Sequence, residues 1–394
     1  MVARRTLSVL GSTGSVGRST LDVILDHGGA SAYDIRLLTG GSNAALLAEQ
    51  ALAVRASLAV IHDEAALPAL RAALTGTGIE TAAGRDALVA AAGERVDFCL
   101  SAIAGAAGLA PTMAAIRAGS TIGLANKESM VCAGALVKQE AEKAGIRILP
   151  VDSEHSAIFQ VLEADQTHAI DRIVLTASGG PFRTWSLDRM RAVTPEQALD
   201  HPNWSMGAGI SLDSATMFNK GLELIEADQL FPVAGEQIEI LVHPQSVIHS
   251  MVGYRDGSVL AQLGTPDMRT PIAYALGWPR RVSAPVERLD FVALSRLDFE
   301  APDETRFPAL RIAREAMVAG GLAPCAMNAA KEVAAQAFLE RHIPFLEIAV
   351  IVEDVLDNFE YARPAASLDD VIAADRFART LAQEALRRRA RRSA

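Results

Sequence analysis

Thr6-Leu7-Ser8-Val9-Leu10-Gly11-Ser12-Thr13-Gly14-Ser15-Val16-Gly17 decides the fold. Residues 6–10 read as a buried strand, glycines follow at 11, 14 and 17, and residues 20–25 carry helical spacing. Strand, glycine turn and helix in that order open a dinucleotide-binding unit, because glycines let backbone N–H groups and a helix N-terminus approach a pyrophosphate. The spacing is GxxGxxG, not GxGxxG, and an ordinary tight connection could use the same glycines. The context strengthens the cofactor reading. Apolar strand candidates recur at 35–39, 58–61, 96–102, 121–125 and 146–151, most of them separated by helical stretches, as a doubly wound parallel sheet requires. The N-terminal part is therefore an α/β, Rossmann-like dinucleotide-binding domain.

Cofactor preference is written at the end of the second strand, Leu37-Leu38-Thr39-Gly40-Gly41-Ser42-Asn43. A carboxylate there would bind the ribose hydroxyls of NAD and repel the extra phosphate of NADP. There is none, so NADP is favoured, although Ser42 and Asn43 offer only neutral hydrogen bonds. Further along, Asn126-Lys127-Glu128 follows the strand at 121–125 and so lies at the sheet's carboxyl edge, where ligands bind in such folds. A helix start, with Asn126 as cap and Glu128 in the first turn, explains the same residues, except that a cap has no need of Lys127.

The apolar run at 146–151 ends on Pro150-Val151-Asp152-Ser153-Glu154-His155-Ser156. If the run is a strand, its side chains alternate, and Asp152 and Glu154 emerge on the same side. Two neighbouring carboxylates are half a cage for a hard divalent cation. Capping of the following helix by Asp152 or Ser153 is the plainer explanation, and a third carboxylate, Glu223, tips the balance. Glu223 belongs to residues 214–227, whose spacing predicts one helix. Ala215, Phe218, Leu222 and Ile225 form its apolar stripe, and Thr216, Asn219, Lys220 and Glu223 a polar one. An exposed Lys220–Glu223 pair would account for that polar stripe at only ~0.2–0.5 kcal/mol.

Between these stretches, residues 173–177 read as a strand ending on Ser178-Gly179-Gly180-Pro181-Phe182, a backbone-rich turn suited to phosphate oxygens. His201-Pro202-Asn203-Trp204-Ser205-Met206-Gly207-Ala208-Gly209 has the composition of a lid, or of a surface loop with Trp204 tucked into the core. Strands are expected at 238–242, 246–252 and 258–263, the last two joined around Asp256-Gly257. His243 and His249, which lie among them, are read as structural. Residues 266–271 bend the chain into a short helix near 272–275.

At 394 residues and 41.7 kDa, two or three domains are expected. Half the residues are hydrophobic and the formal charge is −10, which argues against a nucleic-acid binder. Cys99, Cys132 and Cys325 show no paired spacing, as in reduced thiols of a cytoplasmic protein. No apolar run is long enough to span a bilayer, and a strand begins at residue 6, so neither membrane nor signal peptide is expected. Residues 286–308 read as a Pro- and charge-rich linker. Residues 309–319, 325–341, 345–358 and 367–389 read as a small C-terminal helical bundle without chemistry of its own.

Together the residues resemble one family, 1-deoxy-D-xylulose 5-phosphate reductoisomerase. Its motifs are matched in order by Gly11–Gly17, Ala125-Asn126-Lys127-Glu128-Ser129, Pro150 to His155, Ala177 to Phe182, His201 to Gly207, Asp213-Ser214-Ala215-Thr216, Asn219-Lys220-Gly221-Leu222-Glu223, His243 to Ser250 and Pro266 to Pro271. The resemblance implies a cytoplasmic homodimer that uses NADPH and Mg²⁺, Mn²⁺ or Co²⁺. It implies a sugar-phosphate substrate, 1-deoxy-D-xylulose 5-phosphate, rearranged and reduced to 2-C-methyl-D-erythritol 4-phosphate for isoprenoid precursors. Carried over by position, Asp152, Glu154 and Glu223 hold the metal, and Lys127 and Ser153 meet the substrate's oxygens. Ser178, His201, Ser214, Asn219 and Lys220 surround its phosphate and hydroxyls; Trp204 and Met206 close a flap, and Met268 lines the pocket. Thr13, Gly14, Ser15, Val16, Gly41, Ser42, Asn43, Asn126, Glu128 and Gly207 contact NADPH. The implied organisation is 1–150 for NADPH, a central α+β domain at 151–285 for catalysis, metal and dimerisation, a linker at 286–308, and helices at 309–394. The chain departs from the family at Ser42 and around Ala208-Gly209, where a basic residue is usual.

Overall fold

Seven short strands pair side by side, all parallel: β1 (Arg5–Leu10), β2 (Tyr33–Gly40), β3 (Leu58–Ile61), β4 (Glu80–Ala83), β5 (Phe98–Ser101), β6 (Thr121–Leu124) and β7 (Ile148–Pro150), in the order β4-β3-β2-β1-β5-β6-β7. The computed structural model describes residues 4–200, 207–360 and 364–393. The sheet belongs to a first compact unit, made of the residues up to Ser129, Val137–Ser156 and Asp267–Arg288. All four residues of β5 are buried although their side chains alternate, so both faces of the sheet are covered, as expected of parallel strands. Leu7, Leu10, Leu38, Ile61 and Leu100 are fully buried in it, each contributing about 1.5–3 kcal/mol. Helices α1 (Ser15–Asp26), α2 (Ala44–Val54), α3 (Leu67–Leu74), α4 (Arg85–Ala92), α5 (Leu109–Arg117) and α6 (Lys127–Ala144) alternate with the strands, and α7 (Ser153–Val161) follows β7. Strand order reverses about β1, which puts the topological switch point at the carboxyl ends of β1 and β5.

The glycine turn sits at that point and is pinned there. Gly11 N donates to Thr39 Oγ1 (2.8 Å), Ser12 N to Thr39 O (2.7 Å) and Ser12 Oγ to Gln50 Oε1 (2.8 Å). Gly11 has φ +85°, and a Cβ on it would lie 2.7 Å from the Ala102 carbonyl oxygen. A Cβ on Gly17 would collide with the Gly11 carbonyl, so α1 packs on its own turn only as glycine. Strand β4 has no counterpart among the expected strands. Its Glu-Thr-Ala-Ala lacks a β-branched apolar run because an edge strand is only partly buried.

A second unit comprises Met130–Leu136, Ala157–Pro266 and the residues from Leu289. After β8 (Ile170–Ala177) come the short helices α8 (Leu187–Met190) and α9 (Pro195–Leu199), then α10 (Ala208–Thr216) and α11 (Phe218–Leu230). Strands β9 (Ile238–Val242), β10 (Ile248–Tyr254) and β11 (Val259–Leu263) complete a sheet of order β11-β10-β8-β9, in which only β8 and β9 are parallel. Its core joins Ile173, Leu175 and Val252 to Leu224 and Ala227 of α11 and to Phe231, which caps that helix. The hairpin at Asp256-Gly257 is present, with Gly257 at φ +89° and its N–H on Tyr254 O (2.9 Å).

The chain returns to the first unit for α12 (Arg269–Gly277), which packs on α1. Residues 286–308 then carry one short helix, α13 (Phe291–Leu294), and an antiparallel bridge of Glu300 to Val242. The C-terminal helices α14 (Ala309–Ala319), α15 (Ala323–Leu339), α16 (Glu347–Asp357) and α17 (Leu368–Ser393) pack within the second unit, α15 against α16 and α17, and α14 against α11. Among the described residues no helix is long and apolar enough to cross a membrane.

Candidate active site

In the first unit, the cradle begins where α1 begins. Gly14 is its N-cap and supplies no side-chain acceptor, so the first-turn N–H groups that follow Thr13 and Gly14, at Ser15 and Val16, form the anion-attracting end of a helix. After β2, Gly41, Ser42 and Asn43 are exposed, and a Cβ on Gly41 would meet nothing within 4 Å. Asn43 caps α2, accepting from Leu46 N (3.0 Å). An uncapped helix end at the switch point beside an open glycine stretch suits a dinucleotide's phosphates and ribose.

Across β1, β5, β6 and β7 the register aligns Leu10 with Ser101, Ser101 with Leu124, and Leu124 with Pro150. The residues just past these positions therefore emerge together. Asn126 caps α6 through Ser129 N (3.0 Å) and also donates to Ile103 O (2.6 Å), Gly105 O (3.0 Å) and Glu128 Oε2 (2.9 Å), holding the turn after β5. Lys127 Nζ reaches Asp152 Oδ2 at 2.7 Å, with the two side chains 11% and 10% exposed. Burial pushes the Asp152 carboxyl up, but the Lys127 charge and a hydrogen bond from His155 Nδ1 (3.1 Å) outweigh it and hold Asp152 well below the usual carboxylate range. His155 is fully buried, and sequence reasoning assigned it no part; its signal was the i, i+3 spacing from Asp152.

Asp152 and Glu154 do not owe their placement to strand alternation. The strand stops at Pro150 and α7 starts at Ser153, so Asp152 serves as the cap, accepting from Glu154 N at 3.2 Å. Capping and presentation to the carboxyl edge are one arrangement, because the cap residue sits where the strand ends. Ser153 Oγ donates to Glu154 Oε2 at 2.6 Å. Met268, also of this unit, is half-buried.

In the second unit, the helix expected over 214–227 is two helices. Met217 adopts φ +66° between α10 and α11, because the Thr216 hydroxyl takes up the carbonyls of Leu212 (3.0 Å) and Asp213 (3.2 Å) and closes the first helix. The polar stripe is not a solvated face. Lys220 and Glu223 are 4% and 1% exposed, Lys220 Nζ pairs with one Glu223 oxygen, and Asn219 Nδ2 donates to the other. The small energy of a surface pair thus does not describe it. Gly180 lies against α10 at φ +67°, where a Cβ would be 2.7 Å from the Ser214 carbonyl oxygen, and Ser178 Oγ accepts from Gly180 N (3.1 Å). Two hydroxyls, an amide and an ammonium, from Ser178, Ser214, Asn219 and Lys220, are thus carried by elements of one unit. Gly207 is the N-cap of α10 and, like Gly14, supplies no side-chain acceptor. His243 is structural: Nδ1 is 2.8 Å from Asp298 O, Nε2 accepts from Val247 N (3.2 Å), and the ring stacks on Phe299. His201, Trp204 and Met206 lie outside the described residues.

In the first unit Asp152 and Glu154 offer carboxylate oxygens, the donors a hard divalent cation takes, and in the second unit Glu223 offers the same kind of group.

Family models match the chain at residues 7–134, described as 1-deoxy-D-xylulose 5-phosphate reductoisomerase; at 148–231, its C-terminal domain; and at 263–381, the DXP reductoisomerase C-terminal domain. The 1-deoxy-D-xylulose 5-phosphate reductoisomerase of Rhizobium meliloti is 59% identical over 384 residues, covering 98% of each chain. Among solved structures, that of the Zymomonas mobilis reductoisomerase in complex with NADPH is similar at TM-score 0.91 and 52% identity, covering 98% of this chain and 99% of the other. A reductoisomerase in complex with NADPH, fosmidomycin and magnesium is similar at TM-score 0.93 and 42% identity, covering 97% and 98%.

Proposed function

The chain belongs to the 1-deoxy-D-xylulose 5-phosphate reductoisomerase family, and from that membership we propose that it rearranges this sugar phosphate and reduces the resulting aldehyde to 2-C-methyl-D-erythritol 4-phosphate. NADPH supplies the hydride when bound, and a divalent cation (Mg²⁺, Mn²⁺ or Co²⁺) supplies Lewis acidity to the substrate's carbonyl and neighbouring hydroxyl. Thr13, Gly14, Ser15, Val16, Gly41, Ser42, Asn43, Asn126, Glu128 and Gly207 bind the dinucleotide. Asp152, Glu154 and Glu223 hold the cation.

The chain's own groups do the rest. Lys127 Nζ, kept beside the sheet edge by Asp152, donates to the substrate's oxygens, as does Ser153 Oγ. Ser178, His201, Ser214, Asn219 and Lys220 surround the phosphate and hydroxyls, and holding this remote, non-reacting group fixes the reacting carbons in place. Trp204, Met206 and Met268 exclude water above them. The protein works as a homodimer in the cytoplasm; its three cysteines are buried and form no disulfide, which suits thiols in a reducing compartment. The NADPH domain at 1–150, the catalytic and dimerisation domain at 151–285, the linker and the helical domain at 309–394 divide this labour.

The buried Lys127–Asp152 pair supports the reading, since a cation and an ionised carboxylate at the carboxyl edge of a parallel sheet suit a ligand site. NADPH oxidation by the purified protein tests it. Turnover that requires deoxyxylulose phosphate and stops with EDTA is expected. Metal-independent reduction of another carbonyl would point to a dehydrogenase of the semialdehyde or homoserine type, and binding without turnover to a sensor.

A further inference from the structure

We infer that Lys331, on α15, is a positioning residue for the phosphate pocket, holding Ser214 in place through Asp213; this rests on reading Ser178, Ser214, Asn219 and Lys220 as that pocket. Lys331 Nζ donates to Asp213 Oδ2 at 2.6 Å across 118 residues of sequence, and the two side chains are 5% and 11% exposed. Opposite charges withdrawn from water attract each other strongly at this distance. Asp213 precedes Ser214 in the last turn of α10, so the backbone of one cannot shift without the other. A cation at that end of the helix also complements its dipole.

Ser214 is gripped from other directions too. Its carbonyl accepts from Met217 N (3.1 Å) and is packed by Gly180, which no larger residue could replace without displacing it. Burial raises the carboxyl of Glu332, which follows Lys331, yet the charges of Lys331 and Arg379 hold it below the ordinary range, and Arg379 on α17 pairs with both Glu332 and Asp375 (2.7 Å). Alternating charges thus run from α17 through α15 to the end of α10. The C-terminal helices set where a substrate-binding hydroxyl stands although none of their groups is assigned to the substrate.

The test compares wild type, Lys331→Met and Lys331→Arg for KM and kcat with 1-deoxy-D-xylulose 5-phosphate, for competitive inhibition by inorganic phosphate, and for NADPH affinity. In Lys331→Met, KM and the phosphate inhibition constant are expected to rise about tenfold, with kcat within about threefold and NADPH affinity unchanged; Lys331→Arg recovers most of the loss. A folded Lys331→Met with wild-type KM and wild-type phosphate inhibition overturns the inference, as does a parallel fall of KM performance, kcat and NADPH affinity. Should that variant fail to fold, Asp213→Asn/Lys331→Met leaves neither charge uncompensated, and a raised or a wild-type KM in it decides in the same way. A wild-type protein inactive on the sugar phosphate rejects the proposed activity, and calorimetric binding of inorganic phosphate to wild type and Lys331→Met then decides the inference separately.

Discussion

The carboxyl edge of the seven-stranded sheet and the α10–α11 region confine charge by different means. At the sheet edge, Lys127 and Asp152 come from different strand ends, and parallel register alone makes them neighbours. On α11, Lys220 and Glu223 are neighbours by helical spacing, and it is packing against the rest of the unit that takes them out of water. Topology supplies proximity in one region, and tertiary burial supplies strength in the other. Loss of Lys127 removes the main charge that holds Asp152 ionised, whereas loss of Lys220 still leaves Glu223 its bond from Asn219.

Glu223→Gln attacks the second region at a buried carboxylate and carries the largest expected effect. Turnover should fall by about 10³-fold or more, and its metal dependence with it, while NADPH binding followed by fluorescence stays close to wild type. Unchanged turnover would remove Glu223 from the cation's ligands.

Gly17→Ala strikes the first region through its backbone. The added methyl collides with the Gly11 carbonyl, so a loss of about 3 kcal/mol in urea unfolding and a matching weakening of NADPH are expected. Wild-type stability and cofactor affinity would show that the turn can relax.

Gly221→Ala is the corresponding insertion in the second region, placing a Cβ 2.7 Å from the Ala313 Cβ where α11 meets α14. About 1–3 kcal/mol should be lost, with KM for the sugar phosphate raised and NADPH affinity spared. Loss of NADPH affinity to the same degree would erase the distinction between the regions.

Asp97→Asn has the smallest expected effect. Hydrogen bonds from Thr6 N (2.7 Å) and Thr6 Oγ1 (2.8 Å) pin the start of β1, and the backbone bond most of all lowers the Asp97 carboxyl, outweighing the opposing effect of burial with help from the Thr6 hydroxyl, Arg5 and Arg95. A carboxyl depressed in the folded state stabilises above its unfolded pKa of about 3.9 and loses that contribution as pH falls through the folded value. The variant should therefore be less stable by about 0.5–1 kcal/mol at neutral pH and converge with wild type in acid, as read by thermal melts across pH. A deficit that persists in strong acid would assign the effect to something other than the carboxylate.

Much of this was legible in the residues. Gly11, Gly14 and Gly17 announced the turn, the apolar runs announced six of the seven parallel strands, and the order of motifs announced the family. What escaped did so for physical reasons. Strand β4 is a half-covered edge, where apolar pattern fades. The break at Met217 rests on a Thr216 hydroxyl choosing backbone carbonyls over solvent, a choice that composition does not register. Asp152 reads both as a helix cap and as a carboxylate at the sheet edge, and the stop of β7 at Pro150 shows that the two readings are compatible, which the residues alone do not reveal.

Local chemistry therefore determined the elements and the kinds of groups present: glycines demand a close turn, periodicity demands a buried face, and carboxylates offer hard oxygen donors. Only the tertiary structure decided which charges meet and how dry they are, placing Lys127 on Asp152, Lys331 on Asp213, and Lys220 with Glu223 away from water. Proximity between residues far apart in the chain comes from register and packing, and the strength of a charge pair depends on the water excluded around it, which no single stretch of sequence encodes.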